Sequence, residues 1–407
     1  MIGTAAQRRA TLTFLDQLVS STSNFVTGVA VARLSGPAEF GRFMLMFTVW
    51  LLAVGVHRAL ITEPLIVTSR EVDLRRGLMA HGLSADVLLG VIVSAVVAAG
   101  GAVTLAAGVA LGTPMVALSP WVVSLLVQDY WRGMAFQQRR PGLALANDVV
   151  FAAVQFAVIA VFAALGWRTA SHMITAWGIG ATAGALLGYR WFPALGRLHE
   201  GKSFLADTWS LSRWMLADFL TGFAAHQSYV AFAALLLSQV DYGGFRAGFN
   251  LMGPVIVILH AGANVGLPEA ARRVNPQDLA PLRQFARRLT AGTSFCVVAY
   301  AVVVAVAGRR LLSTIFGPEF APYAQLAMLA ALEYVIAVSW FGQGIALKAA
   351  GRMRRLWRAR LLVAVASLVL LLVLVGWLGA IGAGWAGVIA GTFYAGAVYA
   401  AYRAELA

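Results

Sequence analysis

The chain has 407 residues, 60% of them hydrophobic and only 12% charged, a balance that identifies a polytopic membrane protein. A formal net charge of +14 invites a nucleic-acid partner, but the basic residues sit in short loops between apolar runs, the pattern that sets membrane orientation, and this argues against one. Cys296 is the only cysteine, so no intrachain disulfide is available, and its place in an apolar helix reads as a small core residue.

Residues 1–10 carry basic side chains but no small-residue cleavage site after a short apolar core, so they read as the start of the mature chain rather than a signal peptide. Beyond them, continuously apolar runs such as Leu361 to Leu378 favour helices over a barrel, whose strands would alternate. Twelve spanning segments are expected: 10–34, 39–68, 83–111, 115–137, 143–166, 171–191, 210–237, 242–268, 288–307, 322–348, 355–378 and 381–402. External turns such as Gly112-Thr113-Pro114 and Gly379-Ala380 are very short. The longest non-apolar stretches, 192–210 and 269–287, are well below the ~50 residues a soluble domain needs. Of the 31 Lys and Arg residues, 24 fall on the side of the N-terminus, 6 on the other, and Arg58 within a helix. Cytoplasmic loops carry the positive charge, so both termini are expected in the cytoplasm of a multi-pass cytoplasmic-membrane protein.

The chain repeats itself at an offset of 202 residues. Asp16 and Arg58 recur as Asp218 and His260; Ala32, Leu34, Glu39-Phe40-Gly41 and Phe43 recur as Ala234, Leu236, Asp241-Tyr242-Gly243 and Phe245. Buried ionisable residues are costly in a membrane and mark functional cavities by default. Their repetition divides the chain into two homologous six-helix lobes, 1–200 and 201–407, arranged as parallel repeats because each lobe starts on the same side. Tyr130-Trp131-Arg132-Gly133-Met134-Ala135 and Phe341-Gly342-Gln343-Gly344-Ile345-Ala346 form a fainter match.

Three Gly-rich patterns carry a family resemblance: Val31-Ala32-Arg33-Leu34-Ser35-Gly36-Pro37-Ala38-Glu39-Phe40-Gly41-Arg42-Phe43, Phe316-Gly317-Pro318-Glu319-Phe320, and Gly379-Ala380-Ile381-Gly382-Ala383-Gly384-Trp385-Ala386-Gly387. In that order they resemble the multidrug/oligosaccharidyl-lipid/polysaccharide exporter superfamily, closest to its polysaccharide-flippase branch. The resemblance implies an all-α fold of two lobes that open alternately around a central cavity. The implied cargo is a polyprenyl-(pyro)phosphate-linked oligosaccharide, moved across the cytoplasmic membrane for cell-surface polysaccharide synthesis. Membrane lipids and polysaccharide polymerase or glycosyltransferase machinery are the implied partners. The family has no short catalytic signature, so cavity residues are nominated from the residues themselves.

Helix 1 is polar along its length, with Asp16, Gln17 and Asn24 among hydroxyl residues at helical spacing, which reads as a wet stripe facing the cavity or as small-residue helix packing. Asp16 and Arg58 each lie about 20 residues from the hairpin apex near Pro37, roughly 30 Å of helix, so a contact between them is expected. Asp218 and His260 are expected to pair likewise. The Arg58 guanidinium suits a pyrophosphate group, or else neutralises Asp16 or Glu63. Asp218, His226 and His260 are candidates for proton coupling, since imidazole changes charge near neutral pH. Asp129 and Arg132 in a polar-aromatic cluster of helix 4, and Glu333 in the middle of helix 10, complete the cavity candidates. Glu63-Pro64, Pro254 and Pro268 are expected to bend their helices.

No metal-ligand cluster, phosphate-binding Gly-rich loop or nucleophile–base motif occurs, so no metal, cofactor or catalysis is expected and energy would come from a gradient or a partner. A cation-coupled multidrug exporter of the same superfamily is the competing reading. A membrane glycosyltransferase, or polysaccharide polymerase or ligase, would want a sizeable external loop, and these loops are short.

Overall fold

The computed structural model describes residues 2–69, 76–193, 196–237, 239–275, 277–316 and 318–406, and they are all-helical without a strand. The charged residues Arg70, Glu71, Asp73 and Arg75, and Gly317 of the second Gly-rich pattern, lie outside these residues. Two compact units result, Met1–Ser212 and Arg213–Ala407.

The first unit contains α1 (Ile2–His57), a π-helical turn (Arg58–Thr62), α2 (Glu63–Thr68), α3 (Arg76–Ala106), α4 (Gly112–Leu118), a 3₁₀ turn (Ser119–Trp121), α5 (Val122–Gln137), α6 (Pro141–Ala164) and α7 (Ala170–Trp191). α8 (Leu198–Leu236) begins in the first unit and ends in the second. The second unit continues with α9 (Gln239–Asn250), α10 (Gly253–Ala271), α11 (Ala280–Ile315), a 3₁₀ turn (Pro318–Tyr323), α12 (Ala324–Ser339), α13 (Phe341–Ala349), α14 (Met353–Leu378) and α15 (Ala380–Leu406).

Among the described residues, eight helical stretches are long and apolar enough to cross a bilayer. The remaining expected spans fall in the first limb of α1, in α4–α5, in α7 and in α8. Polar residues such as Asp16, Asp129, Arg132 and Asp218 contribute to their lower hydropathy. The fourth, eighth and tenth expected spans are each broken. Pro120 in the Ser119–Trp121 turn and Pro254 at the start of α10 cannot donate a backbone hydrogen bond, and α12 gives way to α13 at Trp340.

α1 must reverse direction along its length. Asp16 and Arg58 are 42 residues apart, which a straight helix would separate by about 63 Å, yet both bond to residues one turn apart on α5. The apex is tied down by Glu39, whose carboxylate accepts the Ala170 backbone N–H at 2.6 Å and pairs with Arg42. That places an acid on the exposed N–H groups at the start of α7, where a helix dipole favours it. The repeat counterpart Asp241 instead accepts from the Tyr323 hydroxyl at 3.1 Å.

Two apolar cores fill the first unit, one around Leu118, Met173 and Trp177, the other around Leu65, Tyr130 and Trp131. Two more fill the second, around Met252 and Ala330 and around Leu371 and Ala383. Close helix approach relies on glycine: a Cβ on Gly382 would lie 1.9 Å from the Leu374 carbonyl oxygen, and one on Gly178 would lie 2.1 Å from the Trp121 ring. Cys296 is exposed beside the exposed Phe295 and Val298, not part of a core, because it faces outward on α11.

Candidate functional site

In the first unit, α5 presents Gln128, Asp129 and Arg132 close together on one helical face. Arg132 bridges two helices, with Nη2 2.8 Å from Asp16 Oδ2 of α1 and Nε 2.9 Å from Asp148 Oδ1 of α6. Its Nη1 also lies 3.7 Å from Asp129. Asp129 grips Arg58 in a two-pronged contact, Nε to Oδ2 at 2.8 Å and Nη2 to Oδ1 at 2.5 Å. His57, fully buried, sets Nδ1 2.6 Å from Asp86 Oδ1 on α3 and Nε2 3.5 Å from Asp129 Oδ2. Gln128 donates to Asn147 at 2.8 Å and to Asp148 at 2.9 Å, and Asn147 donates to the Gly184 carbonyl at 2.7 Å. Seven ionisable groups therefore form one connected, largely buried network.

Asp16 and Arg58 join this network without pairing to each other. Arg132 and Asp129 stand between them, because α5 packs where a bare two-helix hairpin would have left the two side chains face to face. Arg132, expected in the polar-aromatic cluster of helix 4, has a side chain only 10% exposed. Gln17 is buried beside Asp16 and donates to Ser21 at 3.2 Å, whereas Asn24 is exposed, so the polar stripe of helix 1 divides between a packed face and an open one. Thr27 on the packed face accepts from Gln155 at 2.6 Å. His57, Asp86 and Asp148 escaped the sequence reading. The rule that singled out Asp16, an ionisable group inside an apolar run, applies equally to Asp86 and Asp148.

The second unit keeps the acid and changes its partner. Asp218 Oδ1 accepts from Arg360 Nε of α14 at 2.5 Å, so the expected Asp218–His260 pair gives way to a longer side chain from another helix; His260 is exposed on α10. The Arg360 guanidinium also stacks over Tyr394 at 4.7 Å, and Tyr394 meets Trp340 edge-on at 4.9 Å.

Beside this pair lies a cavity of about 430 Å³, lined by His226, Tyr229, Arg246, Asn250, Glu333 and Arg360 among others. Arg246 is half-buried, and no ion-pair partner for it occurs among the described residues. Glu333 rests against Gly387, where a Cβ would lie 2.4 Å from its Oε2, and that oxygen is buried without a hydrogen-bond donor. The chemistry on offer is a free guanidinium, a second one shared with Asp218, a carboxyl group and aromatic faces. Among the described residues no group of His, Cys, Asp and Glu is arranged to hold a metal ion.

Known structures share this fold. The crystal structure of MATE in the bent conformation superposes with a TM-score of 0.81 at 14% identity, covering 99% of this chain and 95% of that one. An outward-facing multidrug resistance MATE family transporter of the MOP superfamily gives 0.80 at 12% identity, with the same 99% and 95% coverage. A MOP superfamily transporter from Pyrococcus furiosus, for which reversed polarity of the binding pocket suggests a different function, gives 0.77 at 14%, again covering 99% and 95%. No protein-family model matches the chain, and no curated protein matches it in sequence.

Proposed function

We propose that this multi-pass membrane protein is an exporter working by alternating access, and that its cargo is a polyprenyl-(pyro)phosphate-linked oligosaccharide carried across the cytoplasmic membrane. The fold shared with MATE transporters supports the first part. The charge and aromatic character of the second unit's cavity carries the second.

Arg246 and Arg360 place two guanidiniums on one cavity, and among the described residues only Arg360 has a carboxylate partner. A guanidinium fork matches phosphate oxygens and offsets part of the cost of stripping water from an anionic headgroup. Tyr229 and Tyr394 add flat faces with polar edges, which suit sugar rings. About 430 Å³ is room for a headgroup rather than a whole glycan. A cationic drug would meet like charge at Arg246. Pocket polarity is also the feature by which one neighbour on this fold is set apart, so its sign is the property to read.

Arg58 is a weaker headgroup ligand than its sequence position suggests. Phosphate would have to displace Asp129 from it, leaving a buried carboxylate short of a cation, whereas Arg246 has no such partner to lose. The charge asymmetry supports cytoplasmic termini; in this reading the cargo leaves covalently unchanged, and glycan-building enzymes supply it.

Binding discriminates the readings. Purified protein in nanodiscs should bind a short-chain polyprenyl-pyrophosphate disaccharide, and Arg246→Gln should weaken that binding at least about tenfold, the scale of one hydrogen bond to a charged group. Binding of ethidium without the glycolipid would instead establish the cation-coupled multidrug reading.

A further inference from the structure

The arginines at the start of α14 divide between its faces. Arg352 and Arg355 turn toward the end of α15, where Glu405 pairs with them at 3.5 Å and 3.0 Å. Arg360 turns inward to Asp218. Arg354 and Arg358 are exposed on another side, and among the described residues neither has a carboxylate at ion-pair distance.

Arg354 has a neighbour of another kind. Its guanidinium carbon lies 5.3 Å from the centre of the Trp214 ring on α8, and that of Arg213 lies at the same distance. One indole therefore collects two exposed cations, no more than twice that distance apart. Arg213 also has no carboxylate at ion-pair distance among the described residues. A ring face attracts each cation weakly at an exposed site and does nothing about the repulsion between the two. An anion between the guanidiniums offsets that repulsion, and a phosphate offers each of them oxygens that suit its fork.

The rest of α14 indicates what carries that phosphate. At about 3.6 residues per turn, Arg354, Arg358, Leu362, Val365, Val369 and Leu372 share one stripe about 80° wide, and all six are exposed. Basic at one end and apolar beyond it, the stripe matches the headgroup and chains of a phospholipid. Trp214 and Trp357, with ring centres 5.3 Å apart, sit at the junction, and indoles favour the boundary between water and lipid. A soluble phosphate would use only the basic end.

We propose that Arg213, Arg354 and Trp214 form a binding site for the headgroup of an anionic phospholipid whose chains lie along the exposed stripe of α14. This lipid is a resident of the membrane rather than the cargo, and it ties two helices together. α8 and α14 already meet through Trp214 and Trp357, through the Trp357 indole N–H donated to Thr221 at 3.1 Å, and through Arg360 and Asp218. A phosphate held by Arg213 of α8 and Arg354 of α14 adds a further tie. It lies one to two helical turns from Arg360, which lines the cavity, so the lipid steadies one wall of that cavity.

Native mass spectrometry of the full-length protein tests this by counting the lipids it retains, with phosphatidylglycerol and phosphatidylcholine offered in turn. The unchanged protein should retain phosphatidylglycerol in preference. Arg213→Gln with Arg354→Gln should weaken that retention about thirtyfold, the scale of two basic residues at an anionic surface. Arg352→Gln with Arg355→Gln removes the same charge from the other face and should weaken it by no more than about threefold, because Glu405 already offsets these arginines. In nanodiscs, phosphatidylglycerol should raise the Tm of the unchanged protein above its value in phosphatidylcholine, and should leave that of the Arg213→Gln, Arg354→Gln variant where it was. Equal retention of the two lipids, an equal loss from both pairs of substitutions, or displacement of the lipid by inorganic phosphate overturns the proposal. Each result is read without cargo, so it stands apart from the transport reading.

Discussion

At the scale of residues, Arg132 decides the stability of the first unit. Among the described residues it is the only guanidinium in contact with Asp16 and Asp148, so Arg132→Gln strands two buried carboxylates at once. Removing one partner of a buried ion pair costs about 3–5 kcal/mol. Thermal unfolding of the detergent-solubilised protein should register that loss as a clear drop in Tm, partly restored by adding Asp148→Asn. A variant that melts with the unchanged protein would mean that these carboxylates are already protonated and need no cation. The repeat at offset 202 drew attention to Asp16, Arg58 and Asp218, and each of them takes part in an ion pair. Their partners were not legible. Arg132 was named as a cavity candidate but not as the partner of Asp16, and Arg360 lies in a basic stretch of sequence that gives no sign of its bond to Asp218. His57 was overlooked beside the more conspicuous Arg58.

Among the elements, α14 and α15 show how close packing depends on single glycines. Gly382→Ala drives a methyl group into the Leu374 carbonyl, a backbone atom that cannot rotate away, whereas Gly396→Ala meets nothing within 4 Å. The first should lower Tm and the second should leave it unchanged or raise it slightly, since alanine is the better helix former. Equal melting temperatures would show that the two helices slide apart at little cost. The sequence reading placed helices where helices occur, because long apolar runs announce themselves through composition alone. It named weak points at Glu63-Pro64 and Pro254, where a π turn and the α9–α10 break occur, but missed the breaks inside the fourth and tenth spans. Proline marks a weak point in a helix, but whether the chain responds with a bend, a 3₁₀ turn or a π turn depends on what packs against it.

On the scale of the whole molecule, charge placement gives a topology that labelling can read directly. Single cysteines at Asn275 and Arg352 should resist an impermeant thiol reagent in intact cells, and one at Thr113 should react, in a Cys296→Ser background. That background is necessary because Cys296 is itself exposed on the protein surface. Reaction at position 275 would invert the assignment of both termini. The internal repeat led to an expectation of two lobes, and the chain shares its fold with MATE transporters. The cavity was less legible. Glu333 and His226 were named in advance, but Arg246 looked like an ordinary external loop residue until α9 brought it to the cavity wall.

The cargo is the central claim, and a translocation assay meets it most directly. Proteoliposomes carrying a fluorescent short-chain polyprenyl-pyrophosphate oligosaccharide can be quenched from one side to follow its passage between leaflets. The protein should move the label faster than empty liposomes do, and Arg246→Gln should slow it at least about tenfold while the protein remains folded. Movement of ethidium with no movement of the glycolipid, or an Arg246→Gln rate equal to that of the unchanged protein, would contradict the account.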